Sequence, residues 1–251
     1  MKLGIFDSGL GGLTVVKEIK KVLNNHSIVY LGDTARVPYG TRSAETIVKF
    51  AEEDTKFLID QNVDLIVVAC NTVSSLALDV VKKHSSVPVF GVIVPAMEKA
   101  LKITRNNKIG VVGTRATINS LAYEKVSTRR HASMLVPLIE EGFISGDEIN
   151  LFIDKYFKDF VDNVDTLILG CTHYPIIKTE IKKYLGDQIN LVDPAEEIAG
   201  VVLNYVENNK NIDDKDSNDK FYLTDVNPRF IETAKMFLGY DISDKIKKVE
   251  I

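Results

Sequence analysis

Only two cysteines stand among the 251 residues, too few for a disulfide scaffold, so a small stapled secreted fold is excluded. Basic excess is missing as well: 31 Lys and Arg face 35 Asp and Glu, for a net charge of -4 and an isoelectric point near 5.7. No cluster of Lys or Arg interleaved with aromatics offers a groove that tracks phosphates, which removes nucleic acid from the expected partners. No apolar run is long enough to span a bilayer, so no membrane is expected either. The opening MKLGIFDSGLGG passes from one Lys into a short apolar strand and then glycines, without the apolar region and cleavage site of a secretory signal. These absences point to a cytoplasmic protein in a reducing compartment, with both cysteines as thiols.

What is present is an ordinary globular composition, 45% hydrophobic and 26% charged, in a chain long enough for one large domain or two small ones. Short β-branched runs predict strands at 3–6, 28–31, 65–69, 87–92, 109–112, 134–138, 166–169 and 189–192, with helical patterns between them. Such alternation is the pattern of parallel sheets covered by helices.

An internal repeat organises these elements. NVDLIVVACNT from Asn62 to Thr72 is echoed by NVDTLILGCTH from Asn163 to His173, with Asn, Val, Asp and Cys at a constant offset of 101. KLGIFDS from Lys2 matches KIGVVGT from Lys108, HSIVYLGD from His26 is loosely like HASMLVPL from His131, and Val94-Pro95-Ala96 parallels Asp193-Pro194-Ala195. The expected fold is α/β: two pseudo-symmetric, doubly wound α/β domains with parallel sheets and a site in the cleft between them. The polar stretch 207–220 reads as an exposed loop, and the tail after it, with a Pro-initiated helix over 228–238, is expected to return and complete the first sheet. The boundaries predicted are 1–94 plus 208–251 for the first domain and 95–207 for the second.

In both halves the cysteine falls immediately after the last apolar strand residue, where doubly wound folds bind ligands. Taking the α-proton from an amino acid and returning one to the opposite face needs a base and a conjugate acid on either side of the carbon. Two pseudo-symmetric thiols meet that demand, and neighbouring donors or helix N-termini can lower a cysteine's pKa enough to make a thiolate accessible. A single Cys after a buried strand is ordinarily a small core residue. Two at equivalent repeat positions, followed by Asn71-Thr72 in one half and Thr172-His173 in the other, argue for a site.

Other segments gather at the same sheet edges. FDSGLGGLT sets Asp7 and Ser8 at a strand end, with Gly9, Gly11 and Gly12 permitting a tight turn into a helix. A dinucleotide reading of that turn is the weaker one, because Thr14 stands at the third glycine position and Asp7 would lie beside the pyrophosphate, although Asp33 is placed as a ribose-binding acid would be. Pro38, Tyr39 and Gly40 in GDTARVPYG form an abrupt turn that could close over the cleft. His173, two residues after Cys171, is placed to supply or remove a proton. Glu140 and Glu141, expected after a strand, either act on His173 or form a solvated acidic turn. Thr114 and Thr117 in GTRATINS either bind substrate or cap a helix.

The motifs GIFDSGLGGLTV, GDTARVPYG, ACNTVS, GVIVPA, GTRATINS and LGCTHYP occur in that order, and along nearly its whole length the chain resembles the glutamate racemases of bacterial cell-wall (peptidoglycan) synthesis. The resemblance implies interconversion of L- and D-glutamate without pyridoxal phosphate, metal or other cofactor, and a homodimer as a family-level expectation. It implies that Cys70 is the base for D-glutamate and Cys171 the base for L-glutamate, with Asp7 assisting Cys70 and His173 assisting Cys171. Ser8, Pro38, Tyr39, Gly40, Asn71, Thr72, Thr114, Thr117 and Thr172 would cradle the substrate. Two departures stand out: ASMLVPLIEEG lacks the Cys-Pro often seen before the second-domain strand, and FYLTD lacks the usual glycine of the C-terminal strand motif. Competing readings are a racemase of another acidic amino acid such as aspartate, a zinc hydrolase liganded by Cys70, Cys171, His173 and Asp7, and a non-catalytic amino-acid sensor.

Overall fold

The computed structural model describes residues 1–209, 218–226 and 228–251; most of the loop expected over 207–220 therefore lies outside the described residues. Along the first half the chain forms β1 (Lys2–Asp7), α1 (Leu13–Val22), β2 (Ser27–Gly32), α2 (Ala44–Asp60), β3 (Leu65–Val68), α3 (Asn71–Leu76), α4 (Leu78–His84) and β4 (Val89–Gly91). The second half runs α5 (Ile93–Ile103), β5 (Ile109–Gly113), α6 (Arg115–Asn119), β6 (Thr128–His131), α7 (Leu135–Glu140), α8 (Asp147–Phe157), β7 (Thr166–Gly170), α9 (Lys178–Leu185), β8 (Asn190–Val192) and α10 (Pro194–Asn208). β9 (Lys220–Leu223), α11 (Pro228–Leu238) and β10 (Ile246–Lys248) follow.

These strands make two parallel sheets, ordered β10-β9-β2-β1-β3-β4 and β6-β5-β7-β8. The order β2-β1-β3-β4 is repeated by β6-β5-β7-β8, so the sequence repeat is a repeat of topology. Central strands such as Leu65–Val68 and Thr166–Gly170 are buried on both faces, which is why they read as unbroken apolar runs. The repeated Asp of the NVD motif serves both sheets alike. Asp64 accepts from Lys2 N at 2.6 Å, while Asp165 accepts from Thr104 Oγ1, Arg105 N and Asn106 N at 2.6–2.9 Å, each fixing backbone beside a central strand. As expected, the tail returns to the first sheet, β9 pairing with β2 and β10 with β9.

Residues 134–138 are not a strand. Leu135–Glu140 is helix α7, and the strand is the charged TRRH of β6, so His131 ends a strand where the repeat comparison had it open one. β6 is an edge strand with Arg129 and Arg130 exposed, which charged side chains tolerate, whereas a short apolar run does not by itself distinguish strand from helix. Glu140 and Glu141 accordingly close a helix instead of following a strand.

The halves meet through helices. α10 packs on both α1 and α5, and one apolar cluster runs from Leu3, Ile5 and Val16 of the first half through Ile168, Cys171 and Val202 of the second. Cys70 belongs to a second cluster, with Phe6, Val68 and Val73, on the other face of the first sheet.

Candidate active site

β1 delivers Asp7 to the carboxyl edge of the first sheet, and the glycine turn after it wraps the carboxylate. Gly9 N donates to Asp7 Oδ2 at 3.0 Å, and a side chain at Gly12 would fall 2.5 Å from Asp7 Cβ. Asp7 Oδ1, buried, has no hydrogen-bond partner among the described residues. Cys70 caps the N-terminus of α3, and its thiol donates to Ser8 Oγ at 3.5 Å. Burial raises the Asp7 carboxyl, against the charge of His173 and the N–H groups of Gly12, Gly9 and Ser8. Burial first and the Asp7 charge second push the Cys70 thiol up to about 12. The expected lowering by a helix N-terminus is therefore reversed at Cys70: only 5% exposed, it holds its proton, because desolvation outweighs the hydrogen bonds that favour the anion.

Cys171 and His173 lie in the turn between β7 and α9. Cys171 Sγ is 3.8 Å from His173 Nδ1, and His173 Nε2 is 2.8 Å from Glu140 Oε1. The Phe237 ring of α11 meets the imidazole edge to face at 5.2 Å. Burial lowers the His173 pKa, but Cys171 and Glu140 together outweigh it and lift the imidazole from 6.5 to about 10. Of the two acidic residues, Glu140 reaches the histidine and Glu141 does not; Glu141 is exposed and pairs with Arg229.

The two half-sites touch. A side chain on Gly11 would overlap Thr172 Oγ1 and sit 2.5 Å from His173 Nδ1, so only glycine allows this approach. Thr14 Oγ1, at the position a dinucleotide turn would give to glycine, donates to Thr172 O at 3.0 Å. Across the seam, Thr72 Oγ1 lies 2.9 Å from Thr114 Oγ1 and 3.4 Å from Thr117 Oγ1, and Tyr123 donates to Asn71 Oδ1 at 3.2 Å. Thr114 also caps α6 through Thr117 N, which bears out the capping reading of GTRATINS. A side chain on Gly40 would fall 2.7 Å from Thr114 Cβ; the Pro38-Tyr39-Gly40 turn thus reaches the second half, with Pro38 exposed and Tyr39 buried.

Asp33 is consumed by structure. Thr224 Oγ1 donates to its Oδ1 at 2.9 Å and Arg36 Nε to its Oδ2 at 2.5 Å, where the Tyr39 hydroxyl also donates. Neither oxygen is left to bind a ribose, and that reading is dropped. The zinc reading also lacks a donor set, since no group of three or more His, Cys, Asp or Glu among the described residues is arranged to hold a metal ion. Sequence reasoning passed over Thr14, Arg36, Asp54 and Tyr123. Thr14 is marked by its mismatch with the glycine pattern, and Arg36 stands three residues from its partner Asp33, whereas Asp54 and Tyr123 meet partners 15 and 52 residues away.

Beside Cys171, Asn71, Ala69 and Thr172 the structure encloses only about 10 Å³, at the lower limit for one water. A larger groove of about 850 Å³ runs along α9 between Lys178, Lys182 and Asn190 and is lined by neither cysteine.

Comparison with known proteins places the chain as a whole. The Asp/Glu/Hydantoin racemase family description matches residues 10–202. The chain is 47% identical to the glutamate racemase of Aquifex pyrophilus, over 98% of this chain and 97% of that one. It superposes on the glutamate racemase of Francisella tularensis in complex with D-glutamate with TM-score 0.91 and 39% identity, covering 99% and 97% of the two chains. The Thermus thermophilus glutamate racemase in complex with β-chloro-D-alanine gives TM-score 0.91 and 37% identity over 100% and 97%.

Proposed function

The chain belongs to the Asp/Glu/Hydantoin racemase family, and from that premise we propose that it interconverts L- and D-glutamate by two-thiol proton transfer, supplying D-glutamate for peptidoglycan. One observation carries the assignment of roles: two buried thiols stand at equivalent ends of repeated strands with unequal partners, and the glycine turn after Asp7 touches the Cys171 loop.

In the L-to-D direction Cys171 is the base. The Cα–H bond breaks, its electron pair is delocalised into the substrate carboxylate, and the proton goes to the Cys171 sulfur. Cys70 then gives its thiol proton to the opposite face of the α-carbon, and that sulfur keeps the S–H electron pair. Holding its proton at neutral pH, Cys70 is already loaded for this step. The reverse direction exchanges the two roles. His173, carrying charge from its contacts with Cys171 and Glu140, stabilises negative charge on the Cys171 side and relays its proton. Asp7 assists Cys70, whose thiol feels its charge, and its Oδ1 is placed to accept from the substrate ammonium. Ser8, Asn71, Thr72, Thr114, Thr117, Thr172 and the Pro38-Tyr39-Gly40 turn orient the carboxylates, with fixed donors replacing water around the developing negative charge.

These transfers call on neither pyridoxal phosphate nor metal. The division into 1–94 plus 208–251 and 95–207 is supported by the return of β9 and β10 to the first sheet, and it lets the halves part around the site. No helix among the described residues is long and apolar enough to cross a membrane; a cytoplasmic homodimer is our reading of the setting.

The test is α-proton exchange in deuterated water, followed by proton NMR, with L-glutamate, D-glutamate and L-aspartate. Exchange should favour both glutamate enantiomers over aspartate and fall at least ~10³-fold in Cys70→Ala and Cys171→Ala, with each variant still folded. Full turnover in either variant defeats the two-thiol mechanism, and preference for aspartate defeats the choice of substrate.

A further inference from the structure

The turn that reaches across to the second half is held from behind by a buried polar cluster that no motif announces. The Tyr39 hydroxyl donates to Asp33 and lies 3.2 Å from Asp54 Oδ2. Arg36 extends its guanidinium to Asp33, Glu53 and Asp54, the last at 3.2 Å from Nη2 to Oδ1. The Tyr39 ring packs on Phe50 at 5.2 Å, and Arg36 lies 4.2 Å over the same Phe50 ring. Asp54 is fully buried in the middle of α2. A carboxyl at such a position costs stability relative to an apolar residue unless its hydrogen bonds are made, so its presence calls for a reason.

We propose that Asp54 is a positioning residue that, through the Tyr39 hydroxyl, anchors the Pro38-Tyr39-Gly40 turn against Thr114 and thereby sets the affinity for substrate. The inference rests on the racemase reading for its kinetic consequence. Tyr39 was placed among the residues that cradle substrate, yet both neighbours of its hydroxyl are carboxyls of the first half. What the turn offers the cleft is its backbone, since Gly40 abuts Thr114 and Thr114 meets Thr72.

The proton inventory gives the cluster a direction. Burial, and then the charge of Asp33, raise the Asp54 carboxyl above the usual carboxylate range. The Tyr39 hydroxyl thus sits between two carboxyls, donating toward Asp33 and toward Asp54, and Arg36 and Thr224 complete the acceptor sites of Asp33. A turn anchored this way is ordered before substrate arrives and need not be ordered by it.

Asp54→Asn keeps the shape of the side chain, with a polar atom toward Arg36 and another toward Tyr39, whereas Asp54→Ala removes the anchor. Tyr39→Phe keeps the ring on Phe50 and removes only the hydroxyl. Two readouts are needed, in variants whose thermal melts show them folded. Amide hydrogen exchange of the turn, read by mass spectrometry, should be at least tenfold faster in Asp54→Ala and Tyr39→Phe and within twofold of the parent in Asp54→Asn. KM for both glutamate enantiomers should rise about tenfold in Asp54→Ala and Tyr39→Phe, with kcat within about threefold because no group at the α-carbon has changed. Unchanged turn protection or unchanged KM in folded Tyr39→Phe overturns the anchor, as does Asp54→Asn behaving like Asp54→Ala. Absence of glutamate exchange in the parent protein would defeat the racemase reading instead, and turn protection would still decide the anchor.

Discussion

Gly11→Ala is the substitution whose effect can be worked furthest from the structure. The added methyl would overlap Thr172 Oγ1 and lie 2.5 Å from His173 Nδ1 and 2.6 Å from His173 Cε1, where ordinary contact is roughly 3.5 Å. Glu140 holds the imidazole at 2.8 Å, Phe237 backs it edge to face, and Thr14 holds the Thr172 carbonyl at 3.0 Å, so turning the Thr172 side chain alone leaves the His173 overlap unrelieved. The relief is a separation of the glycine turn from the Cys171 turn by about 1 Å. A displacement of that size at a reacting centre costs about 10²-fold in rate, or roughly 2.7 kcal/mol of activation free energy. Overpacking of this kind destabilises the fold by about 1–3 kcal/mol. The assay is deuterium exchange of both glutamate enantiomers alongside a thermal melt. Gly200→Ala is the control: a side chain there, within α10, meets nothing within 4 Å, so it should leave exchange unchanged and stabilise by up to about 1 kcal/mol. A folded Gly11→Ala protein with the parent's exchange rate would refute the reasoning, because the half-sites would not need the contact that only glycine permits.

Two further predictions concern His173. Glu140→Gln removes a charged partner that helps lift the imidazole to about 10, so the alkaline limb of the kcat/KM profile for L-glutamate should move to lower pH by on the order of one unit; an unmoved limb would show that Glu140 is not coupled to the reaction. The same lift has a stability consequence of definite sign. Since the folded pKa is raised above the unfolded 6.5 to about 10, the contribution is complete below pH 6.5 and declines as pH rises toward 10, at no more than about 1.4 kcal/mol per pH unit. Denaturant unfolding across that window should show the decline, and His173→Gln should flatten it; equal slopes in the two proteins would contradict the assignment.

Much of this arrangement was legible in the amino-acid order, for a physical reason. Cys70 and Cys171 sit 101 residues apart because each closes a central parallel strand, and a strand buried on both faces announces itself as an unbroken apolar run. Edge positions lack that constraint, and so TRRH hid as a strand while the apolar segment after it was helical. Within the site, chain-neighbour relations such as Cys171 with His173 could be read directly. Partnerships across long separations, among them Tyr39 with Asp54 and Thr14 with Thr172, depend on how loops fold back. The protonation of Cys70 was misjudged because a helix N-terminus is visible in sequence and the depth of burial is not.

The cramped space beside Cys171, about 10 Å³, bears on where hydrogens come from. On the mechanism proposed above, an amino acid needs more room than this, so the loops around Cys171 would have to part to admit it. On that mechanism the Cys171 sulfur exchanges its hydrogen through His173 and the part-exposed Glu140, whereas the Cys70 thiol meets Ser8 and feels the buried Asp7. The L product, protonated by Cys171, should therefore take its hydrogen from the surrounding water sooner than the D product, protonated by Cys70, does.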